Sequence, residues 1–270
     1  MIASLRAHLE LSDDELMVLA SRAGVQTLPV VLGVRPRHGT ASELAAATQA
    51  ATAALIDREL LFDDAVADEL VGPLWALERP DRELAMRLVT PEGTARVTVV
   101  RRGKLWVWAR RVGNVVALHL GTGRPVLTEA IKPLLHHLPA APPADVVAFG
   151  APLHAVSDAL TGTHDPVRLA DQLAAIGAPA RTAMMFGSAL GSRLAFAEIV
   201  CYALSFEADR LLRGPAPVGV FCTRRGRIVA APSVSPSGQL WTTLKGGSDN
   251  AIKQALSQLV EISAERWEED

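Results

Sequence analysis

The turn Gly121-Thr122-Gly123 is the first place in this chain where residue types and spacing could support chemistry. It lies between a predicted strand and a predicted helix, where a dinucleotide-binding turn would hold a pyrophosphate. The third glycine of that motif is missing, since Val126 occupies its place, and Pro125 intervenes. Gly246-Gly247 holds the equivalent strand-to-helix position later in the chain. The simpler interpretation is a turn that needs positive φ in both places.

Possible metal ligands and nucleophiles are present, but their spacing predicts no reactive set. His136-His137 is a tempting metal pair, yet adjacent side chains on a helix point about 100° apart and make poor co-ligands. The serines lack the G-x-S-x-G setting of a nucleophile elbow. Cys201 and Cys222 lie in apolar, strand-like runs, which is typical of buried thiols. We therefore expect no catalytic residues, no metal and no cofactor, and a protein that is not an enzyme.

A basic hairpin is predicted around Arg102-Gly103. Arg101, Arg102 and Lys104 lie near its turn, and Trp106 and Trp108 follow on one strand. Interleaved aromatic residues would suit a nucleic acid. Strand alternation, however, puts both tryptophans on one face, while the basic groups lie mostly at the hairpin ends. We favour a solvated hairpin, whose basic ends could also contact an acidic protein partner.

Met184-Met185-Phe186 is a further candidate contact region on a predicted helix, where it is accompanied by Gly187 and Gly191. Methionine side chains are flexible and polarizable, which suits a groove that accepts varied apolar shapes. Ordinary helix packing is the simpler alternative.

The composition indicates a folded chain of 270 residues, with 49% hydrophobic and 21% charged residues. A net charge of −2 gives no global attraction to nucleic acid or to anionic lipid. Two cysteines make a disulfide framework improbable and fit a reduced compartment. Met1 to Asp14 has no signal-peptide layout, and no apolar run reaches the roughly 18 residues of a membrane helix. We expect a cytoplasmic protein without membrane insertion.

The chain carries an internal repeat. The run from Arg101 to Val107 returns from Arg224 to Ala230, an offset of 123 residues, and Ala130-Ile131-Lys132 returns at Ala251-Ile252-Lys253, an offset of 121. Each copy reads as strand, turn, strand and then helix. A near-constant offset over a whole unit predicts two similar halves, 1–138 and 139–270, that merge into one structural domain. That build favours a binding scaffold over a single catalytic pocket.

The element pattern predicts an α+β fold with a pseudo-two-fold, internally duplicated central antiparallel sheet flanked by helical bundles. The sequence predicts a capping box at Ser12-x-x-Glu15, a strand over 28–34, and helices capped by Ser42 and Asp63. Strands are then predicted over 84–88, 95–101, 104–110 and 114–120, and a helix over 126–138. The second half repeats helices at 166–176 and 180–190, strands near 198–204, 218–223, 227–231 and 239–244, and a helix over 249–262. Helices are expected on one sheet face only, so that the other face is free to bind.

The stretch from Ala95 to Asn114 resembles the central hairpin of EspG-type proteins, the specific chaperones of type VII (ESX) secretion systems. Residues 32–36, residues 77–84 and Leu240-Trp241 with Trp267 resemble further parts of that family in the same order. The chain departs from the family pattern at residues 14–17, where a tryptophan after an Asp-Gly pair is usual. It also has Arg266 where a glycine precedes the last tryptophan.

The resemblance implies an ATP-independent chaperone that covers the apolar tip of a helical PE/PPE-like secretion substrate. It implies a groove between the sheet and the C-terminal helical bundle. The expected substrate-binding residues are Val229, Ala231, Trp241 and Thr243 from the sheet, and Met184, Met185 and Leu190 from the helices. Trp106, Trp108, Arg101, Arg102 and Lys104 are further candidates from the first half. The free protein is expected to be a monomer or a weak homodimer.

Two other functions remain open from the sequence. The chain could be a nucleotide- or small-molecule-binding enzyme that uses the Gly121–Gly123 turn. It could also be a homo-oligomeric adaptor whose free sheet edge pairs with itself.

Overall fold

A computed structural model describes residues 8–205, 207–263 and 266–268, so that part of the predicted N-terminal layout, Met1 to Ala7, lies outside the described residues. The chain divides into two compact units. Unit 1 comprises 1–85, 95–125 and 203–212, and unit 2 comprises 86–94, 126–202 and 213–270. The predicted halves, 1–138 and 139–270, stay a prediction.

The elements of the first part of the chain are β1 (His8–Ser12), α1 (Asp13–Arg22), α2 (Ala41–Asp57), β2 (Leu61–Phe62), β3 (Ala65–Val66), α3 (Asp68–Glu78), β4 (Arg82–Thr90), β5 (Gly93–Arg102), β6 (Leu105–Val112) and β7 (Val115–Leu120). They are followed by α4 (Leu127–His137), β8 (Phe149–Pro152), α5 (Leu153–Leu160), α6 (Pro166–Ala175), α7 (Ala180–Gly191), β9 (Arg193–Ser205), β10 (Arg210–Thr223), β11 (Gly226–Val234), β12 (Leu240–Gly246) and α8 (Asp249–Ile262).

Ten of the described strands form one sheet in the order β1-β7-β6-β5-β4-β9-β10-β11-β12-β8, and the registers at both ends of that order are antiparallel. β2 and β3 form a separate two-stranded hairpin. The predicted α+β class with a large antiparallel sheet is therefore confirmed. The order β5-β6-β7-α4 occurs again as β10-β11-β12-α8, at the positions where a repeated unit of strand, turn, strand and helix was predicted.

In unit 1, the apolar core lies between α1, α2 and α3 and one face of the sheet. Leu16 and Leu19 of α1, Leu55 of α2, and Val107 of β6 are all buried in this cluster. α1 begins where the sequence predicts, because the Ser12 side chain accepts from the Glu15 amide while the Glu15 carboxylate accepts from the Ser12 amide.

In unit 2, helices cover both faces of the sheet. Phe221, Ile228 and Leu244 pack with α5, α6 and α7 in one buried cluster. α8 packs along β11, and Val229 and Ala231, which alternate with Ile228, are 0% and 4% exposed. The prediction of helices on one face only is therefore wrong for unit 2.

Two local predictions are wrong. Residues 28–34 form no strand. Pro29 lacks an amide hydrogen for a ladder, and a single 3-10 turn at Val30–Leu32 follows it. Asp63 does not cap a helix, because it lies in the turn between β2 and β3 with φ of 51°, and α3 begins five residues later at Asp68.

The predicted cap of α2 is displaced by two residues. Thr40, not Ser42, is the N-cap, and it forms a capping box with Glu43. β1, β8 and α5 were not predicted. β8 and α5 follow directly on each other over Phe149–Leu160, so the sequence there has no separating turn residues to mark them.

Candidate binding groove

An apolar groove lies in unit 2 between α5 and the sheet. Its volume is about 220 Å³, which is enough for one large side chain. Three apolar side chains of α5 form one wall: Leu153, Val156 and Leu160. The sheet lines the other side with Phe196 of β9, Gly219 and Phe221 of β10, Ala230 of β11 and Thr242 of β12.

Two aromatic rings on neighbouring strands form the floor of the groove. The ring centroids of Phe196 and Phe221 lie 4.8 Å apart in a tilted arrangement. Gly219 leaves the space above them open, since a Cβ there would lie 3.4 Å from the Phe221 ring and from the Ala230 methyl group. The groove therefore exists because a glycine and an alanine stand beside two large rings.

Charged groups occur at the rim of the groove. The guanidinium carbon of Arg193 lies 5.9 Å and 5.8 Å from the ring centroids of Phe196 and Phe221, within cation–π range. Burial lowers the pKa of Arg193 from its usual value. Glu198, on the same strand, accepts a bond of 3.3 Å from Arg213, which compensates its charge.

The sheet residues expected from the family resemblance do not line this groove. Register pairs Ala231 with Thr243 and Ser233 with Trp241, so those residues share the face that alternates with Ala230 and Thr242. Val229 and Ala231 are buried there, whereas Trp241 and Thr243 are half-buried. The groove is thus on the sheet face one residue out of register from the expected set.

The expected residues of α7 do not line the groove either. Leu190 is 2% exposed and belongs to the core beneath α6 and α7. Met185 is half-buried, and Met184 is 60% exposed, so Met184 is the one of the three whose side chain is largely open to solvent.

The remaining expected residues belong to unit 1. Trp106 is 7% exposed, and Arg101 is buried with its Nη2 3.9 Å from the Asp81 carboxylate. Arg101 is therefore not part of a solvated basic surface. Arg102 is exposed and donates to the Trp75 carbonyl, and Lys104 is exposed.

Trp108, the last of the expected set, is half-buried and stacks on His119 at 3.6 Å. A role of the exposed members in partner binding stays a prediction.

The residues that do form the groove left only a weak signal in the sequence. Leu153, Val156 and Leu160 follow the spacing of one helix face, but α5 was not predicted. Phe196 lies in the part of β9 that precedes the predicted strand. Arg193 is the first residue of β9. The residues next to it in the sequence do not predict that two aromatic rings lie beside its side chain.

The Gly121–Gly123 turn has no space for a bound phosphate at Gly121. A Cβ at Gly121 would lie 1.9 Å from the Trp106 ring, so the indole already fills the space in front of this residue. Gly121 is needed for that close approach. Positive φ occurs at Gly123, where φ is 80°, but Gly246 and Gly247 are not among the positive-φ glycines. The predicted φ requirement is therefore wrong at 246–247, where a Cβ of Gly246 would lie 2.8 Å from the Ala144 carbonyl oxygen.

Other features bear on the predicted chemistry. Within residues 8–205, 207–263 and 266–268, no group of three or more His, Cys, Asp or Glu side chains is arranged to hold a metal ion. The amide of Leu127, at the start of α4, donates to the Glu268 carboxylate at 2.9 Å. Among the described helices, none has the length and apolar character that crossing a membrane requires.

In the described residues, a large antiparallel sheet carries helices and an apolar groove whose lining could accept an apolar side chain of a partner. Comparison with known sequences identifies the family. The model described as the EspG family matches residues 12–258, and the chain belongs to that family.

Two relatives are similar to the chain over most of its length. The ESX-3 secretion-associated protein EspG3 of Mycolicibacterium smegmatis is 26% identical over 259 residues, which cover 93% of this chain and 85% of the relative. The type VII secretion chaperone EspG5 of Mycobacterium tuberculosis, solved in complex with the PE25–PPE41 dimer, matches with a TM-score of 0.76 at 17% identity. That match covers 94% of this chain and 96% of EspG5, and it shows the same fold.

Proposed function

We propose that this protein is a cytoplasmic chaperone of a type VII (ESX) secretion system that binds a PE/PPE-like helical substrate. It acts by binding, without ATP and without catalysis. Family membership over 12–258 supports the class of function, and the complex of EspG5 with the PE25–PPE41 dimer supports the class of partner.

The apolar groove of unit 2 is the observation on which the proposed contact rests. An aromatic floor, an aliphatic wall from α5 and a charged rim have the composition of a pocket that anchors one apolar side chain of a partner. Full burial of one leucine or phenylalanine side chain contributes about 2 kcal/mol. Covering the apolar tip of the substrate in this way would keep it soluble until secretion.

Co-expression with a helical PE/PPE-like pair encoded beside the gene tests this function. The expected result is a soluble complex that co-purifies, whereas the pair alone aggregates. A substrate pair that is equally soluble alone and never co-purifies would refute the function. Light scattering over a concentration series on the free protein separates a monomer from self-assembly through the sheet edges.

A matched pair of variants tests the location. Ala230→Phe fills the groove from β11, and Val234→Phe places the same ring on the same strand face at an exposed position outside the groove. We expect Ala230→Phe to abolish co-purification and Val234→Phe to preserve it, with circular dichroism unchanged in both. Equal binding by the two variants would place the contact elsewhere.

A further inference from the structure

Arg193 is a half-buried cation in the apolar groove, and it has no counter-ion among the described residues. One guanidinium nitrogen, Nη2, lies 3.0 Å from Nδ1 and 3.2 Å from Nε2 of His164. The guanidinium carbon lies 5.9 Å from the centroid of the Phe196 ring and 5.8 Å from that of the Phe221 ring. In the described part of the chain, no carboxylate lies within ion-pair distance of it, and Nε and Nη1 have no hydrogen-bond partner.

The second charged residue of the groove does not compensate Arg193. Glu198 lies five residues further along the same strand. Its carboxylate is paired with Arg213 at 3.3 Å. The positive charge of Arg213 balances the negative charge of Glu198. Among the described residues of the groove and its rim, the charge of Arg193 is therefore the one that no carboxylate compensates.

A carboxylate is the group that best satisfies such an arginine. Guanidinium presents five donors in a planar fork that matches the two oxygens of a carboxylate, and bonds between charged groups are the stronger ones. Partial burial has already removed part of the water around Arg193, which strengthens an ion pair formed there. The planar guanidinium fork is itself pre-organised, so less side-chain entropy is lost for each hydrogen bond that it forms.

We propose that the groove binds an apolar segment of the partner polypeptide that carries an aspartate or glutamate, whose carboxylate pairs with Arg193. This deepens the proposed function, on which it rests for the identity of the partner. It adds a charge requirement to a contact otherwise described by apolar burial. Arg193 is then a specificity residue, because a segment without the acid leaves the half-buried cation unpaired.

The test uses the full-length protein and two small probes of the same shape, octanoate and octanamide. Both present an eight-carbon chain, but only octanoate ends in a carboxylate. Titration followed by NMR should give at least about tenfold tighter binding of octanoate, the effect of one charge-assisted hydrogen bond. Arg193→Gln should remove this preference, Arg193→Lys should keep part of it, and Arg168→Gln, an exposed arginine on α6, should leave it intact.

Equal affinity for the two probes, or an octanoate preference that survives in Arg193→Gln, overturns the proposal. So does the absence of binding of either probe at millimolar concentration. These outcomes are distinct from failure of the chaperone function. A protein that prefers octanoate but never co-purifies with a PE/PPE-like pair would keep the carboxylate site and lose the proposed partner.

Discussion

Glu83 gives the sharpest prediction about the stability of this protein. Its side chain lies on β4, is 4% exposed and accepts a hydrogen bond of 2.7 Å from the Thr98 hydroxyl on β5. Desolvation raises the pKa of Glu83 from 4.5 to about 7, and the bond from Thr98 offsets only part of this. Between about pH 4.5 and pH 7, the Glu83 carboxyl group is therefore protonated in the folded protein and ionised in the unfolded chain.

The sign and size of the effect follow from that difference. Below pH 4.5 both states are protonated, and above about pH 7 both are ionised. Between these values only the folded state binds the proton, so the free energy of unfolding falls by about 1.4 kcal/mol per pH unit as pH rises. The total loss on going from pH 4.5 to above 7 is about 3 kcal/mol.

Glu83→Gln keeps the shape and an oxygen that can accept from Thr98, but it cannot ionise. We expect the stability of the variant relative to wild type to rise by about 2–3 kcal/mol between pH 5 and pH 8. Urea denaturation at intervals across this range measures it. Glu69→Gln, the same change at an exposed position of α3, should follow the wild-type profile. Parallel profiles for wild type and Glu83→Gln would show that the buried carboxyl group is not kept neutral, and the reasoning would fail.

Two further predictions concern a buried ion pair of unit 1 and the glycines of two hairpin turns. Arg111 donates from Nε and Nη2 to the two carboxylate oxygens of buried Asp13, each at 2.6 Å, so Arg111→Met should cost about 3–5 kcal/mol in the free energy of unfolding. Adding Asp13→Leu should restore much of this loss, and a double variant no more stable than the single one would contradict the idea of a stranded charge. Gly103 and Gly226 both have positive φ, but a Cβ meets nothing within 4 Å at Gly103 and backbone atoms at 2.7 Å at Gly226. Gly226→Ala should therefore lower the melting temperature clearly more than Gly103→Ala, and equal shifts would show that φ alone decides.

Much of the fold could be predicted from the sequence where local chemistry specifies it. The capping box at Ser12 and Glu15, the hairpin turn at Gly103 and the bounds of α8 all depend on residues close together in the chain. The strand over 28–34 failed because β-branched and leucine residues around Pro29 are equally compatible with an irregular segment that buries Leu32 and leaves Val30 exposed.

The groove could not be predicted to the residue. Alternation shows that Val229 and Ala230 point to opposite faces of β11, but it does not show which helix covers which face. That depends on where α5 and α8 pack. An error of one residue in choosing the strand face exchanges every residue for its neighbour. For this reason Val229 and Ala231 were expected, whereas Ala230 and Thr242 line the groove.

The class of fold, the repeated order of strands and helix, and the family could all be inferred from the amino-acid sequence. Each of these follows from periodicity, turn residues and ordered local similarity. The folded structure was needed to show that the Phe196 and Phe221 rings are in contact, that the Arg193 guanidinium lies within cation–π range of both, and that no carboxylate of a described residue lies within ion-pair distance of it. Phe196 and Phe221 lie on β9 and β10, which follow one another in the chain, but the register between these two strands brings the rings together, and local sequence does not fix that register.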